Sequence, residues 1–81
     1  MHLQRFLLIR DEDLTGNSGT GTVAEGVVFS DGSAVMRWLV EPCSVTYYRC
    51  IADVERLHGH QGRTSVQVID VYVPVEVYAV V

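Results

Sequence analysis

Three clusters in this chain carry residue types that can do chemistry. The stretch "TGNSGTGT", residues 15–22, sets Gly16, Gly19 and Gly21 among small hydroxyl and amide side chains. The stretch "HGHQGRT", residues 58–64, gathers His58, His60, Arg63 and Thr64 in one tight bend. Cys43, Cys50 and the acidic run Asp11–Asp13 complete the inventory.

A phosphate-gripping Walker loop requires G-x-x-x-x-G-K-[ST], because its lysine reaches the β and γ phosphates. Gly16 and Gly21 have the right separation, but Thr22 stands where lysine must be, and a strand follows instead of a helix. The dinucleotide pattern G-x-G-x-x-G is absent, and 81 residues cannot hold that fold. A weaker chemistry survives. Successive backbone N–H groups in a glycine-rich turn can form an anion nest, and imidazole and guanidinium groups in the nearby bend can hold the same charge. Gly19, Gly21, Trp38, His58, His60, Arg63 and Thr64 are therefore the candidate contacts for an anionic, nucleotide-like small molecule. The competing reading makes the first stretch a plain connection and the second the end of a helix and the start of a strand.

Metal and catalytic sites are poorer. A zinc site needs three or four ligands at suitable spacing. Cys43, Cys50, His58 and His60 can be gathered on paper, but the cysteines are seven apart with no CxxC, so no metal site and no cofactor is assigned. Cys50 and His58, drawn as nucleophile and base with Asp53 as orienter, lie two helical turns apart, about 12 Å along the axis, too far for proton transfer. Asp11–Asp13 reads as a solvated acidic loop. No enzyme activity is expected.

The elements that must position these residues are mostly strands. Hydrophobic residues make up 48% of the chain, which excludes a disordered tail, and valine, stiff at χ1 and suited to strands, dominates them. "RFLLIR" (5–10), "TVAEGVVF" (22–29), "AVMRWLV" (34–40), residues 45–48 and "TSVQVID" (64–70) read as five strands. Asp31-Gly32 is the clearest turn signal, and a two-residue type I′ hairpin there pairs Phe29 with Ala34, Val27 with Met36 and Glu25 with Trp38, and sets Arg37 over Gly26. Both faces of that hairpin are largely apolar, so both need a cover: a helix, a second sheet or another subunit. Pro42 interrupts the ladder. "IADVERLHG" is the one helix candidate, near residues 51–58, with Gly59 as its left-handed C′ residue. Past Ile69 the apolar parity flips to Val71, Val73, Val75, Val77, Ala79 and Val81, which indicates a bulge or break near Asp70.

The predicted fold is mainly β (α+β): a small antiparallel sheet, or partly open barrel, of five to six strands with one short helix packed across it. Residues 1–70 form a single small domain, and 71–81 an extended apolar C-terminal arm that Pro74 marks as an edge. A net charge of −4 supplies no positive surface to release counterions, so nucleic acid is not an expected partner. No apolar run reaches the roughly 20 residues of a membrane span. No signal peptide is legible, because Arg5 interrupts the first apolar run. A protein of the cytoplasm with reduced thiols follows as the expectation. All six basic residues are arginine, as in proteins of GC-rich genomes.

"RDEDLTGNSGTGTVAEGVVFSDG", "RW" and "DVERLHGHQGRT" together resemble a group of small proteins encoded by actinobacteriophages, actinobacteria and haloarchaea. The resemblance covers roughly residues 5–70 and leaves the arm outside. It implies an origin, a phage of a GC-rich host, and carries over no catalytic residue. The functional expectation is a non-catalytic binding module of the host cytoplasm that forms a homo-oligomer, a dimer first, and binds a host protein. The alternative is a protein that sequesters an anionic, nucleotide-like molecule through the glycine-rich loop and the "HGHQGR" bend.

Overall fold

The computed structural model describes residues 3–11, 20–59 and 62–70. Strands β1 (Gln4–Arg10), β2 (Gly21–Val28), β3 (Ala34–Trp38) and β4 (Val45–Tyr48) form an antiparallel meander. Helix α1 (Ala52–His58) then carries the chain back to β5 (Thr64–Val68), which pairs antiparallel with β1. The strand order is β4-β3-β2-β1-β5, so β4 and β5 are the two edges among the described residues. The fold is therefore the expected mainly β sheet with one short helix, and the sheet is open, not closed into a barrel. The arm of residues 71–81 lies outside the described residues.

The hairpin corrects the expected register by one residue. Gly32 does take a positive φ of 88°. The loop, however, holds three residues, Ser30, Asp31 and Gly32, not two. The Phe29 N–H donates to the Ser33 carbonyl at 2.7 Å, and the Gly32 N–H to the Phe29 carbonyl at 2.9 Å. This is a turn followed by a left-handed residue, the next commonest hairpin closure. The Asp31 carboxylate accepts from the Ser33 N–H at 2.9 Å and from its hydroxyl at 2.6 Å, which makes the longer loop self-supporting. Val28 consequently pairs Ala34, Gly26 pairs Met36, Glu25 pairs Arg37 and Ala24 pairs Trp38. A one-residue shift moves every side chain to the other face. Met36 and Trp38 thus share a face with Ala24, Gly26 and Val28, whereas Val27, Val35 and Arg37 lie on the opposite one.

Helix α1 covers the first of these faces. Phe6, Leu8, Val23, Met36 and Val54 are its largest fully buried side chains, and burial of each contributes about 1.5–3 kcal/mol. Val23 and its neighbour Ala24 are both buried because the β1–β2 register shifts between Leu8 and Ile9, so two successive residues of β2 can point inward. Gly26 has a packing reason: the Phe6 ring lies against it, and a Cβ there would meet Phe6 ring carbons at 2.5 Å and collide with the Val35 carbonyl oxygen. Gly59 does not take the expected left-handed conformation (φ −70°, ψ −23°). The chain instead makes one further turn, with the Gly62 N–H bonded to the Gly59 carbonyl at 3.0 Å, and Gly62 carries the positive φ of 89°.

The break foreseen near Asp70 coincides with an anchor. β5 ends at Val68, the Ile69 N–H still donates to the Arg5 carbonyl at 3.0 Å, and the Asp70 carboxylate accepts from the Arg5 N–H at 2.7 Å. The Arg5 guanidinium closes the clamp through Nε, 3.0 Å from both carboxylate oxygens, and a terminal nitrogen at 2.7 Å.

Two expectations follow. Gly26→Ala should destabilise the domain by about 1–3 kcal/mol, because its Cβ must push the Phe6 ring out of a packed core; urea unfolding measures this, and a variant as stable as the parent contradicts the packing. Acid stability should report the two anchored carboxylates. The Ser33 hydroxyl lowers the pKa of Asp31, and the Arg5 guanidinium lowers that of Asp70. Groups with depressed native values contribute stability above the unfolded value of about 3.9 and lose it as pH falls through the native one. The urea midpoint should therefore fall below about pH 5, and Asp70→Asn should flatten that decline; an unchanged slope contradicts the clamp.

Candidate functional site

The helix-covered face carries most of the chemistry-bearing residues at one end. Gly21 opens β2 with a positive φ of 85° and pairs with Arg10, the last residue of β1. Thr64 opens β5 and pairs with Arg10 from the other side. Thr64 is buried, and its hydroxyl accepts from Arg10 Nε at 3.4 Å. Arg63 is half-buried, and its carbonyl takes the Asp11 N–H at 2.7 Å. One row along the same face, Trp38, Ala24, Leu8 and Val66 lie side by side across four strands. The fold therefore brings Gly21, Trp38, Arg63 and Thr64 to one end of the sheet. Gly19 and His60, the remaining members of the two stretches with His58, lie outside the described residues.

His58 ends α1 above this row and is committed to a polar aromatic cluster. Its ring packs edge-on against Trp38, with centroids 5.0 Å apart, and its Nε2 lies 3.0 Å from the Tyr48 hydroxyl. Burial holds the Tyr48 phenol above its ordinary range, partly offset by the Thr46 side chain. The phenol is thus protonated at neutral pH and bridges β4 to the helix. This cluster is what seats the C-terminal end of a seven-residue helix on the sheet.

Arg10 is the residue that the sequence reading missed. It is 6% exposed, a cation enclosed between Gly21 and Thr64. Strand parity was the available signal, since Phe6, Leu8 and Arg10 alternate onto one face. A guanidinium with its stem in the core presents a planar fork suited to carboxylate or phosphate. No cluster of three or more His, Cys, Asp or Glu able to hold a metal occurs among the described residues, where Cys43 and Cys50 are free thiols.

Among the described residues, no helix lies on the opposite face. It holds a groove of about 600 Å³, floored by Leu7, Val27 and Val35 and bounded by Phe29, Val45 and Ile69. Arg5, Glu25 and Arg37 supply its charge. Val45 is 60% exposed and Ile69 45%, so the apolar surface is open to water. The groove went unforeseen as a site because the expected register put Val27 and Arg37 on different faces; only the shifted one places them together.

No helix among the described residues is long and apolar enough to cross a membrane. No curated protein and no solved structure matches the chain. A family model described as "Acb5 phage protein" matches residues 3–70, the whole sheet and helix from the first described residue to the Arg5–Asp70 clamp. This chain belongs to the Acb5 phage protein family.

Proposed function

We propose that this phage protein is a non-catalytic binding module that self-associates and engages a protein of the host cytoplasm. The observation that carries the reading is the open apolar groove. A surface of Leu7, Val27 and Val35 with Arg5, Glu25 and Arg37 set among them has the mixed apolar and charged make-up of a protein–protein interface, and an exposed apolar surface of this kind marks an interaction site. Its position on the face opposite the helix leaves the fold intact when a partner binds. Sedimentation equilibrium at high micromolar concentration should find a dimer. Val35→Glu, which introduces a charge into the groove floor, should weaken the dimer at least ten-fold, about 1.4 kcal/mol. A parent chain that is monomeric refutes self-association.

A second reading, sequestration of an anionic, nucleotide-like molecule, is favoured by the enclosed Arg10 between Gly21 and Thr64, with Trp38 in the neighbouring row. Backbone N–H groups of a glycine-rich turn and a guanidinium are the donors such a ligand requires. A ligand at a hundred times its Kd stabilises the native state by about 2.7 kcal/mol, so a thermal-shift screen of nucleotides and inorganic phosphate reads it directly. Arg63→Ala should weaken binding without unfolding the chain. Equilibrium dialysis that finds no anionic nucleotide bound at millimolar concentration removes this reading.

A further inference from the structure

We infer that the open-face groove is occupied by residues 71–81 of a second copy of this chain, with each copy's arm lying in the other's groove. The inference deepens the self-association reading and rests on it.

The starting point of the arm is fixed at the groove. Ile69 and Arg5 both line it, and Arg5 holds the Asp70 carboxylate through its backbone N–H and its guanidinium. Residue 71 therefore follows from a point anchored at the groove's rim. The chemistry of the arm matches the floor. In an extended segment alternate side chains share one face, which gathers Val71, Val73, Val75 and Val77 into an apolar row. Leu7, Val27 and Val35 offer the complementary surface. An exposed flat row of valines is an aggregation hazard unless it is covered.

Length and area decide for a second copy. Five strands about 4.8 Å apart make a sheet about 19 Å wide. Residues 71–81 extended at about 3.3 Å each reach about 36 Å. An arm laid across its own sheet overshoots it by nearly half, and leaves Val77, Ala79 and Val81 in water. Two open faces stacked without arms also fall short. Five strands of about five residues put about twelve side chains on one face, against the roughly 20–30 residues a side of a stable interface. Exchanged arms bridge the two faces, cover the overshooting valines and add the missing area. Reciprocal exchange also closes the assembly at two copies, as an isologous pair requires.

Photo-cross-linking of the full chain tests this. The residue p-benzoylphenylalanine is placed at position 37 or, separately, at position 45; both native side chains are exposed and line the groove, and two positions guard against one variant that fails to fold. Light chains carrying it are mixed with ¹⁵N-labelled parent chains, unfolded and refolded together, checked by circular dichroism and sedimentation, irradiated and digested with trypsin. The expected product joins the light photoreactive peptide to a heavy peptide that begins at Thr64, with fragment ions placing the link beyond Asp70. A dimer whose links to that segment are light only overturns the exchange in favour of each chain's own arm, and leaves self-association standing. Heavy links to other segments overturn the arm as occupant while the dimer survives. A monomer at high micromolar concentration overturns the self-association reading and the exchange with it.

Discussion

The positive φ of Gly32 is the constraint on which the sheet depends. It closes a three-residue loop, and the loop length sets the β2–β3 register, which in turn decides which side chains enter the core. With this register Gly26 stands opposite Met36 and beneath the Phe6 ring, at a place where no side chain fits. A shift by one residue puts Arg37 under the helix and Met36 in water. Asp31, bonded to the Ser33 N–H and hydroxyl, holds the loop in the form that selects this pairing. Local turn chemistry and core packing thus favour the same register, which is the consistency that a unique fold needs.

The two faces of the sheet have different fates. The helix is seven residues long and marginal by itself. It persists because Val54 is fully buried against the sheet and because His58 is held between Trp38 and Tyr48. One short helix can cover one face of five strands and no more. The opposite face leaves Val27 and Val35 half-buried and Val45 exposed, with three charged residues among them. An open antiparallel sheet tolerates this where the second face is wet or is covered.

The chemistry-bearing end and the groove lie on opposite faces, and Arg10 and Arg5 mark the difference. Arg10 shares the strand parity of Phe6 and Leu8, is 6% exposed, and donates from Nε to the Thr64 hydroxyl. Arg5, on the other parity of the same strand, stays exposed and clamps Asp70. Strand parity alone sends two arginines of β1 to two surfaces. The groove lining and the residues gathered at the Arg10 end therefore have no side chain in common.

Much of this fold was legible in the order of residues. Alternation of apolar residues located the five strands, because a period of two is a property of the extended chain itself. The short stripe of Ile51, Val54 and Leu57 located the helix, whereas the flip of apolar parity concerns residues 71–81, outside the described residues, just past the end of β5 at Val68. That Thr22 stands where a Walker loop needs its lysine is read from the sequence itself. What the sequence left open were the quantities set by contacts between distant segments. Asp31-Gly32 is compatible with a two-residue or a three-residue loop; the Asp31–Ser33 hydrogen bonds and the burial of Met36, with Arg37 left exposed, go with the longer one. Gly59 and Gly62 are equally able to adopt a left-handed conformation; the turn leading into Thr64 assigned it to Gly62. The enclosure of Arg10 depended on β5 returning to the edge of β1, 54 residues away in the chain. The groove appeared only with the shifted register, since a surface made of several strands exists only after tertiary pairing has chosen which residues share it.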